Sequence, residues 1–449
     1  MQIKLFRSST VGIHSSNFKL LTDPWLTDGI YYGSWSHYPY YDLKKNLKEI
    51  NSYDAIYISH IHEDHCDDKT LSLIRKDIPI YIHSFHIKFL KNKLERLGFN
   101  VIELENGKRH ALAKDFNLRI YAADNCDPDL CFKVWGCADK NAKNGTQQVD
   151  TLAVIDNNQE VIVNLNDCPY ELAQSTFKSI LKNYEKIDLM LTGYCGAGPY
   201  PQCFENYNSK EKIIAGEKKI KHYYDTAVSF INSLKPKYYL PYAGTYTLTG
   251  KLSILQDFRG NPSVDEAYEY LAKVYENNND INEAKISYDQ TFDIKTGKNI
   301  NKYRKIDFEE HKKYTRETLS KIKLEYENYE FPKFEELFEL SLKAHKKYLD
   351  KKLINNVKIE TDTYLKVYDK FIKIPNNNER IEIIDDDKEI SKSKRYIIYK
   401  TDPRLLKMLL MGPKYAHWGG AEGGSHVTYY RKPNIMESAS VMSMLHFHL

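Results

Sequence analysis

A short segment rich in histidine and acidic residues constrains this chain more than any other feature of its sequence. It directly follows the apolar, strand-like run 55–59, and it reads Ser59-His60-Ile61-His62-Glu63-Asp64-His65. Imidazoles and carboxylates are costly to bury in an apolar interior, so these side chains need a charged partner. A metal ion is the natural partner for such a cluster.

The spacing of these residues favours two neighbouring ions. His60 and His62 are two positions apart, so in an extended turn they point to the same side and bind one ion. Asp64 and His65 follow where the chain curls into a helix, and there they face a second ion. Glu63 falls between these positions, and we expect it to point to solvent. The alternative is a loop of exposed histidines that binds no metal.

The composition excludes several classes of protein. The chain has 449 residues, with 65 Lys and Arg against 61 Asp and Glu, so no strong field of one sign recruits nucleic acid. No apolar run is long enough to span a membrane, and the first residues lack the apolar core of a signal peptide, which predicts a cytoplasmic protein. All seven cysteines lie between Cys66 and Cys203, an odd number that argues against a disulfide framework.

Three regions differ in pattern. Residues 1–260 alternate short strand-like runs with a few amphipathic helices, which predicts a mixed α/β domain. Residues 261–360 are charged, and apolar residues at three- and four-residue spacing predict a helical insertion or cap, with one helix over 308–329. Residues 361–449 return to alternating patterns, which predicts a small α/β domain. This last domain either shapes the substrate pocket or mediates homodimerisation.

The histidine-rich motif resembles the metallo-β-lactamase superfamily, whose signature is His-x-His-x-Asp-His after a strand of an αββα sandwich. The first 250 residues are most similar to the metallo-β-lactamase-like domain of the CMP-N-acetylneuraminate hydroxylase family and its bacterial relatives. The matching stretches are LTDPWL at 21–26, YISHIHEDH at 57–65, VDT at 149–151, NLNDC at 164–168 and LKPKYYLPYAG at 234–244. The stretches HWGGAEGGSH at 417–426 and RKP at 431–433 also resemble the end of that family.

The resemblance implies further ligands. Asp167 takes the place of the carboxylate that bridges two cations, unless it only caps the turn before Pro169. Asp23 takes the place of an acid that orients a ligand imidazole, unless it only forms the turn before Pro24.

The sequence also departs from the superfamily pattern at two places. A third ligand histidine is missing near residues 123–131, where Cys126, Asp127 or Asp124 is a candidate substitute; a thiolate there favours zinc and a carboxylate favours iron or manganese. The last ligand histidine is missing near residue 243, as it is in the hydroxylase-like relatives. A separate zinc site formed by Cys126, Cys131 and Cys137 is a further alternative.

Four residues are candidates for substrate binding. The glycine-rich stretch 193–200 resembles the family's loop at the mouth of the site, which points to Tyr194 and Gly196. Tyr242 lies in a matching stretch, and Trp35 belongs to an aromatic cluster over 31–41 whose rings suit a base or a sugar face. The alternatives are a tight loop without a ligand and a packed surface loop.

These features lead to three hypotheses about function. The first is a metallo-hydrolase in which two divalent cations, zinc or iron, activate water on a nucleotide-activated or acidic sugar or a related small molecule, with Asp64 as a ligand and catalytic residue. The second is an iron oxygenase. Because the Cys-x-His and Cys-x-x-His pairs of a Rieske centre are absent, it needs a separate electron donor protein. The third is a non-enzymatic sugar-binding module.

Overall fold

The computed structural model describes residues 1–127, 129–130, 150–355, 358–377 and 379–449. The strands, β1 to β22 in chain order, are Gln2–Arg7, Thr10–His14, Lys19–Thr22, Trp35–Ser36, Ala55–Tyr57, Ile80–His83, Val101–Leu104, Arg109–Ala113, Phe116–Ala122, Thr151–Asp156, Val161–Asn164, Leu189–Gly193, Tyr238–Tyr242, Thr247–Leu248, Asn282–Glu283, Gln290–Asp293, Lys298–Asn299, Asp362–Val367, Lys370–Ile374, Glu382–Ile384, Tyr396–Lys400 and Thr428–Lys432. The helices, α1 to α13, are Ile30–Gly33, Leu43–Ile50, Asp68–Leu73, Phe89–Arg96, Gln174–Asn183, Ser209–Leu234, Val264–Val274, Phe308–Glu317, Phe334–Asn355, Asp387–Ile390, Pro403–Met411, Trp418–Gly423 and Ser438–Met444.

Two large mixed sheets form the body of the molecule. One has the strand order β17-β16-β1-β2-β3-β5-β6-β7, and the other has the order β15-β13-β12-β11-β10-β9-β8. Alternate residues of both sheets, among them Ile3, Ile13, Leu118 and Leu191, are fully buried in one apolar core between them. The hydrophobic effect therefore holds the two sheets face to face.

Helices cover the outer faces of both sheets. Leu71 of α3 and Leu90 of α4 pack on the β5 and β6 side of the first sheet. Phe230 of α6 and Leu271 of α7 pack on the outer face of the second sheet. This arrangement of helix, sheet, sheet and helix confirms the predicted αββα sandwich.

The sandwich includes strands from beyond residue 260. β16 pairs with β1, and β15 pairs with β13, so residues 282–299 extend both sheets. These strands have two to four residues each, too few to show an alternating apolar pattern between charged segments. The domain boundaries at residues 260 and 360 stay a prediction. The strands β15 and β16 nevertheless pair with strands of the sandwich, and β17 pairs with β16.

The helix predicted over 308–329 is shorter than expected. α8 ends at Glu317, and two short 3-10 turns follow, Leu319–Lys321 and Glu325–Asn328. Leu319, Leu324 and Tyr326 are buried at these turns. Burial of these three side chains outweighs the helical preference of the local sequence.

The last part of the chain forms a second, smaller α/β unit. Its sheet has the order β20-β19-β18-β21-β22, and one core joins this sheet to α9 and α11. A bridge between Phe204 and Tyr429 links it to the loop after β12. Within the described ranges, no helix is both long and apolar enough to cross a membrane.

Candidate metal centre

The histidine-rich segment lies at the carboxyl end of β5, where several parallel strands end together. β3 runs parallel to β5 and ends just before Asp23, while β11, parallel to β12, ends just before Asp167. The Thr151 hydroxyl ties the two sheets together at this edge, since it donates to the Ser59 carbonyl oxygen over 2.7 Å. Residues distant in sequence therefore meet at one edge of the sandwich.

Two groups of metal-binding atoms meet at Asp167. One group is His60, His62 and Asp167, the other is Asp64, His65 and Asp167, and within each group the ligand atoms lie within 4.8 Å of one another. Asp167 Oδ1 lies 3.3 Å from His65 Nε2, and Asp167 Oδ2 lies 3.8 Å from His60 Nε2. Each oxygen of this one carboxylate thus faces a different group, which is the arrangement that a bridging ligand requires.

The surroundings shift the pKa values of His60 and His65 in opposite directions. Burial lowers the pKa of His60 well below its ordinary value, which keeps this side chain in the neutral form that binds metal. Burial also disfavours the charged form of His65, but Asp167, Asp64 and Asp23 outweigh burial and raise its pKa well above the ordinary value. The three carboxylates thus make the His65 position strongly attractive to a cation.

Asp23 holds the metal-binding cluster in place through hydrogen bonds to Ser59 and His65. It is fully buried, and its Oδ2 lies 2.9 Å from His65 Nδ1 and accepts from the Ser59 hydroxyl over 2.7 Å. Its Oδ1 accepts from the Ser59 backbone N–H over 2.7 Å. Because the carboxylate holds Nδ1, the other nitrogen of His65 is directed toward Asp167.

Tyr31 donates hydrogen bonds to both acidic residues of the histidine-rich segment, Glu63 and Asp64. Its hydroxyl donates to Asp64 Oδ1 over 2.6 Å, and its backbone N–H donates to Glu63 Oε2 over 2.7 Å. The expectation that Glu63 points to solvent is therefore wrong, since its carboxylate fixes the turn that carries Tyr31. The Tyr31 carbonyl oxygen lies 2.7 Å from His426 Nε2, so the C-terminal unit also reaches this turn.

Asp150 was not expected as part of the site. It lies at the edge of the cluster, with its Oδ1 3.7 Å from His60 Nε2. The signal for it was its place directly before β10, in one of the stretches that match the hydroxylase family.

Of the three candidate substitutes for the missing histidine, Asp124 is fully buried and acts on Cys168 together with Asp167, while Cys126 and Asp127 have other contacts. Cys126 Sγ lies 4.0 Å from His83 Nε2, and Asp127 is exposed and accepts from the Asp129 and Leu130 backbone N–H groups. Among the described residues, neither Cys126 nor Asp127 belongs to either group of metal-binding atoms. Their role as ligands stays a prediction, and Cys131 and Cys137 lie outside the described residues.

The four candidate substrate residues differ in position. Tyr194 and Tyr242 are buried between the sheets, and the Tyr242 hydroxyl donates to Asn166 Oδ1 over 2.9 Å, which supports the turn that carries Asp167. A Cβ at Gly196 would lie 2.3 Å from the Tyr223 hydroxyl oxygen, so this glycine allows a close approach. Trp35 is buried, and its ring stacks on that of Tyr246.

Comparison with known proteins agrees with this geometry. Residues 2–193 match the family model described as "Beta-lactamase superfamily domain". Residues 2–193 are therefore similar to a metallo-β-lactamase superfamily domain, and the match includes both groups of metal-binding residues, from His60 to Asp167.

Two curated relatives carry the same name, cytidine monophosphate-N-acetylneuraminic acid hydroxylase. The one from Asterias rubens is 26% identical over 258 residues, covering 55% of this chain and 35% of its own length. The one from Danio rerio is 27% identical over 246 residues, covering 51% of this chain and 35% of its own length. The chain thus spans about a third of the length of these relatives.

Among solved structures, an isothiocyanate hydrolase from Delia radicum gut bacteria is similar over 65% of this chain and 99% of its own, with 13% identity and a TM-score of 0.43.

Proposed function

We propose that the chain is a metal-dependent hydrolase that activates water at a dinuclear centre. His60, His62 and Asp167 would hold one divalent cation, and Asp64, His65 and Asp167 the other, with zinc or iron as the metal. The observation that carries the proposal is the placement of the two Asp167 oxygens, which face His65 and His60 over 3.3 and 3.8 Å.

The donor set fits such cations. Each group offers both carboxylate oxygen and imidazole nitrogen, the ligand types that zinc and iron accept. When bound, two divalent cations lower the pKa of water and polarise a phosphoryl, acyl or amide oxygen.

The chain's own residues fix the geometry around that chemistry. Asp23 holds His65 by its Nδ1 atom, so the Nε2 atom is presented to the centre. Tyr31 donates a hydrogen bond to Asp64 Oδ1, which fixes the carboxylate and leaves Oδ2 facing His65. Asp64 is therefore positioned to act on substrate or water as well as to bind metal.

The substrate class that we propose is a nucleotide-activated or acidic sugar, or a related small phosphoryl or acyl compound. It is supported by the printed name of the relatives, which refers to a cytidine monophosphate sugar acid.

A turnover assay tests the proposal. The purified full chain, loaded with zinc or with iron, is incubated with nucleotide sugars, sugar phosphates and N-acyl sugars, and products are identified by mass spectrometry. We expect addition of water across one bond, abolished in His60→Ala and unchanged in His222→Ala, whose side chain is exposed on α6. Absence of turnover with every compound, or turnover that His60→Ala leaves intact, contradicts the proposal; saturable sugar binding without turnover indicates a binding module.

An iron oxygenase is the second candidate, and the name of the relatives as hydroxylases favours it. This reaction inserts one oxygen atom of O2 and needs electrons from a separate protein. The iron-loaded chain with a ferredoxin and its reductase would then consume O2 in a substrate-dependent way. Tightly bound zinc and no oxygen uptake would exclude this candidate in favour of hydrolysis.

A further inference from the structure

Arg259 is a buried cation without an acidic partner. Only 5% of its surface is exposed, yet no ion pair among the described residues involves it. In the part of the chain that the structure describes, its Nε and Nη1 atoms make no hydrogen bond, and the guanidinium lies 4.2 Å from the centre of the Tyr246 ring. Burying an unpaired charge is unfavourable, so a side chain in this state is suited to an anion that comes from outside.

The groups around Arg259 are hydrogen-bond donors and a second cation. The Tyr246 hydroxyl and Asn261 Nδ2 are buried nearby and make no hydrogen bond of standard geometry, and both Arg259 and Asn261 lie close enough to the Tyr246 hydroxyl to interact with it. Lys219 Nζ donates to the Arg259 carbonyl oxygen over 2.9 Å. Burial lowers the pKa of Lys219 to about 8, so it is still mostly charged at neutral pH. Donors and positive charge together favour an oxyanion over a neutral or cationic group.

A continuous series of aromatic contacts connects this cluster to the metal centre. Tyr246 stacks on Trp35 with ring centres 3.4 Å apart and planes at 9°. Trp35 contacts Tyr31 edge to face with centres 4.7 Å apart. The Tyr31 hydroxyl in turn donates to Asp64, so an unbroken series of side-chain contacts joins Arg259 to the metal-binding residues.

The loop after β12 also lies close to Lys219 and Arg259. Gly193 ends β12 opposite Tyr242, and the carbonyl oxygen of Tyr200 in the loop that follows accepts from Lys219 Nζ over 2.9 Å. A Cβ at Gly193 or at Gly198 would meet no atom within 4 Å, so the loop faces open space. Between these residues, burial raises the pKa of the Cys195 thiol to about 12, an effect that Arg259 and Lys219 oppose and Asp167 adds to, so Cys195 lies near all three charges.

We propose that Arg259, with Lys219, Tyr246 and Asn261, forms a subsite that binds an oxyanion of the substrate next to the metal centre. The ligand is the carboxylate or phosphate of a small molecule whose reacting bond lies at the metals. This inference deepens the proposed hydrolase function and rests on it for the identity of the bound molecule. The guanidinium suits either anion, since its planar edge matches both in a two-point contact.

Binding of simple anions tests the subsite. Inorganic phosphate and acetate are titrated separately into the purified full chain by calorimetry, before and after treatment with a chelator. We expect saturable binding that persists after metal removal and weakens roughly 10- to 100-fold in Arg259→Gln, with a smaller loss in Arg259→Lys. Arg316→Gln, at an exposed position on α8, is the matched control and is expected to bind as the unmodified chain does. The stronger of the two anions identifies the ligand as phosphate or carboxylate.

Thermal unfolding separates binding from a structural role. Because Arg259 has no acidic partner within the described residues, Arg259→Gln is expected to leave the Tm unchanged or to raise it. Two results overturn the subsite: a lower Tm with unchanged anion affinity, or anion binding that chelation abolishes and Arg259→Gln does not affect. Failure of the unmodified chain to retain metal would contradict the hydrolase proposal, while the anion titrations would still decide whether Arg259 binds an oxyanion.

Discussion

Asp23→Asn is the sharpest test of how the chain orients its metal ligands. The carboxylate accepts three hydrogen bonds, from the Ser59 N–H, the Ser59 hydroxyl and the His65 Nδ1 side, over 2.7, 2.7 and 2.9 Å. An asparagine offers only one accepting oxygen, so its NH2 group must face at least one of these donors. The variant therefore loses the negative charge behind His65 and the fixed orientation of its ring.

The expected loss follows from these contacts. A hydrogen bond to a charged group contributes about 1.5–3 kcal/mol, which corresponds to roughly 10- to 100-fold in metal affinity. The assay is competition for Zn²⁺ between the full chain and a chromophoric chelator. Asp54→Asn is the matched control, since Asp54 also accepts a backbone N–H, from Lys19 over 2.8 Å, but at an exposed site. Affinity of Asp23→Asn within about twofold of the unmodified chain would refute the orienting role.

Three further predictions concern other parts of the account. Tyr31→Phe removes the hydroxyl that holds Asp64. In a metal titration, the ion held by Asp64 and His65 should therefore bind about tenfold more weakly, while the affinity for the other ion is unchanged. Equal weakening of both ions would contradict this. Burial lowers the pKa of His37 to about 3, so this histidine is neutral in the folded chain at neutral pH. Because the unfolded chain takes up a proton at His37 below about pH 6.5, the metal-free folded state should lose stability as the pH falls below that value. The loss for this group is up to about 1.4 kcal/mol per pH unit. Denaturant unfolding between about pH 7 and 5 should show a shallower dependence in His37→Gln, and an unchanged slope would contradict this. Cys126→Ser tests the predicted ligand role of this thiol, which lies beside His83: loss of one ion in elemental analysis would assign Cys126 as a ligand, and an unchanged metal stoichiometry would rule it out.

The local part of the site was predictable because the motif encodes it. His60, His62, Asp64 and His65 are close in sequence, and the turn after β5 is enough to bring them together. Asp167 is about a hundred positions away, and only the resemblance to a known family pointed to it. Its place is set by the parallel pairing of β11 with β12, which a single sequence does not reveal.

Contacts between distant regions were beyond sequence reasoning. His426 reaches the Tyr31 carbonyl oxygen, and Glu63 accepts the Tyr31 N–H, although neither pair shows a pattern in the sequence. Arg259 stands in a stretch whose charge looks like ordinary surface charge. Its burial without an acidic partner depends on the packing of α6, the loop after β12 and Tyr246, which only the three-dimensional structure brings together.

The metal content of the purified chain tests the central claim most directly. Elemental analysis of protein prepared with little handling is expected to give two divalent cations per chain, and fewer in Asp167→Ala, because both groups of ligands share this carboxylate. Asp77→Ala, at an exposed position, serves as the control and should retain both ions. Full occupancy in Asp167→Ala, or no tightly bound metal in the unmodified chain, would contradict a dinuclear centre bridged by Asp167.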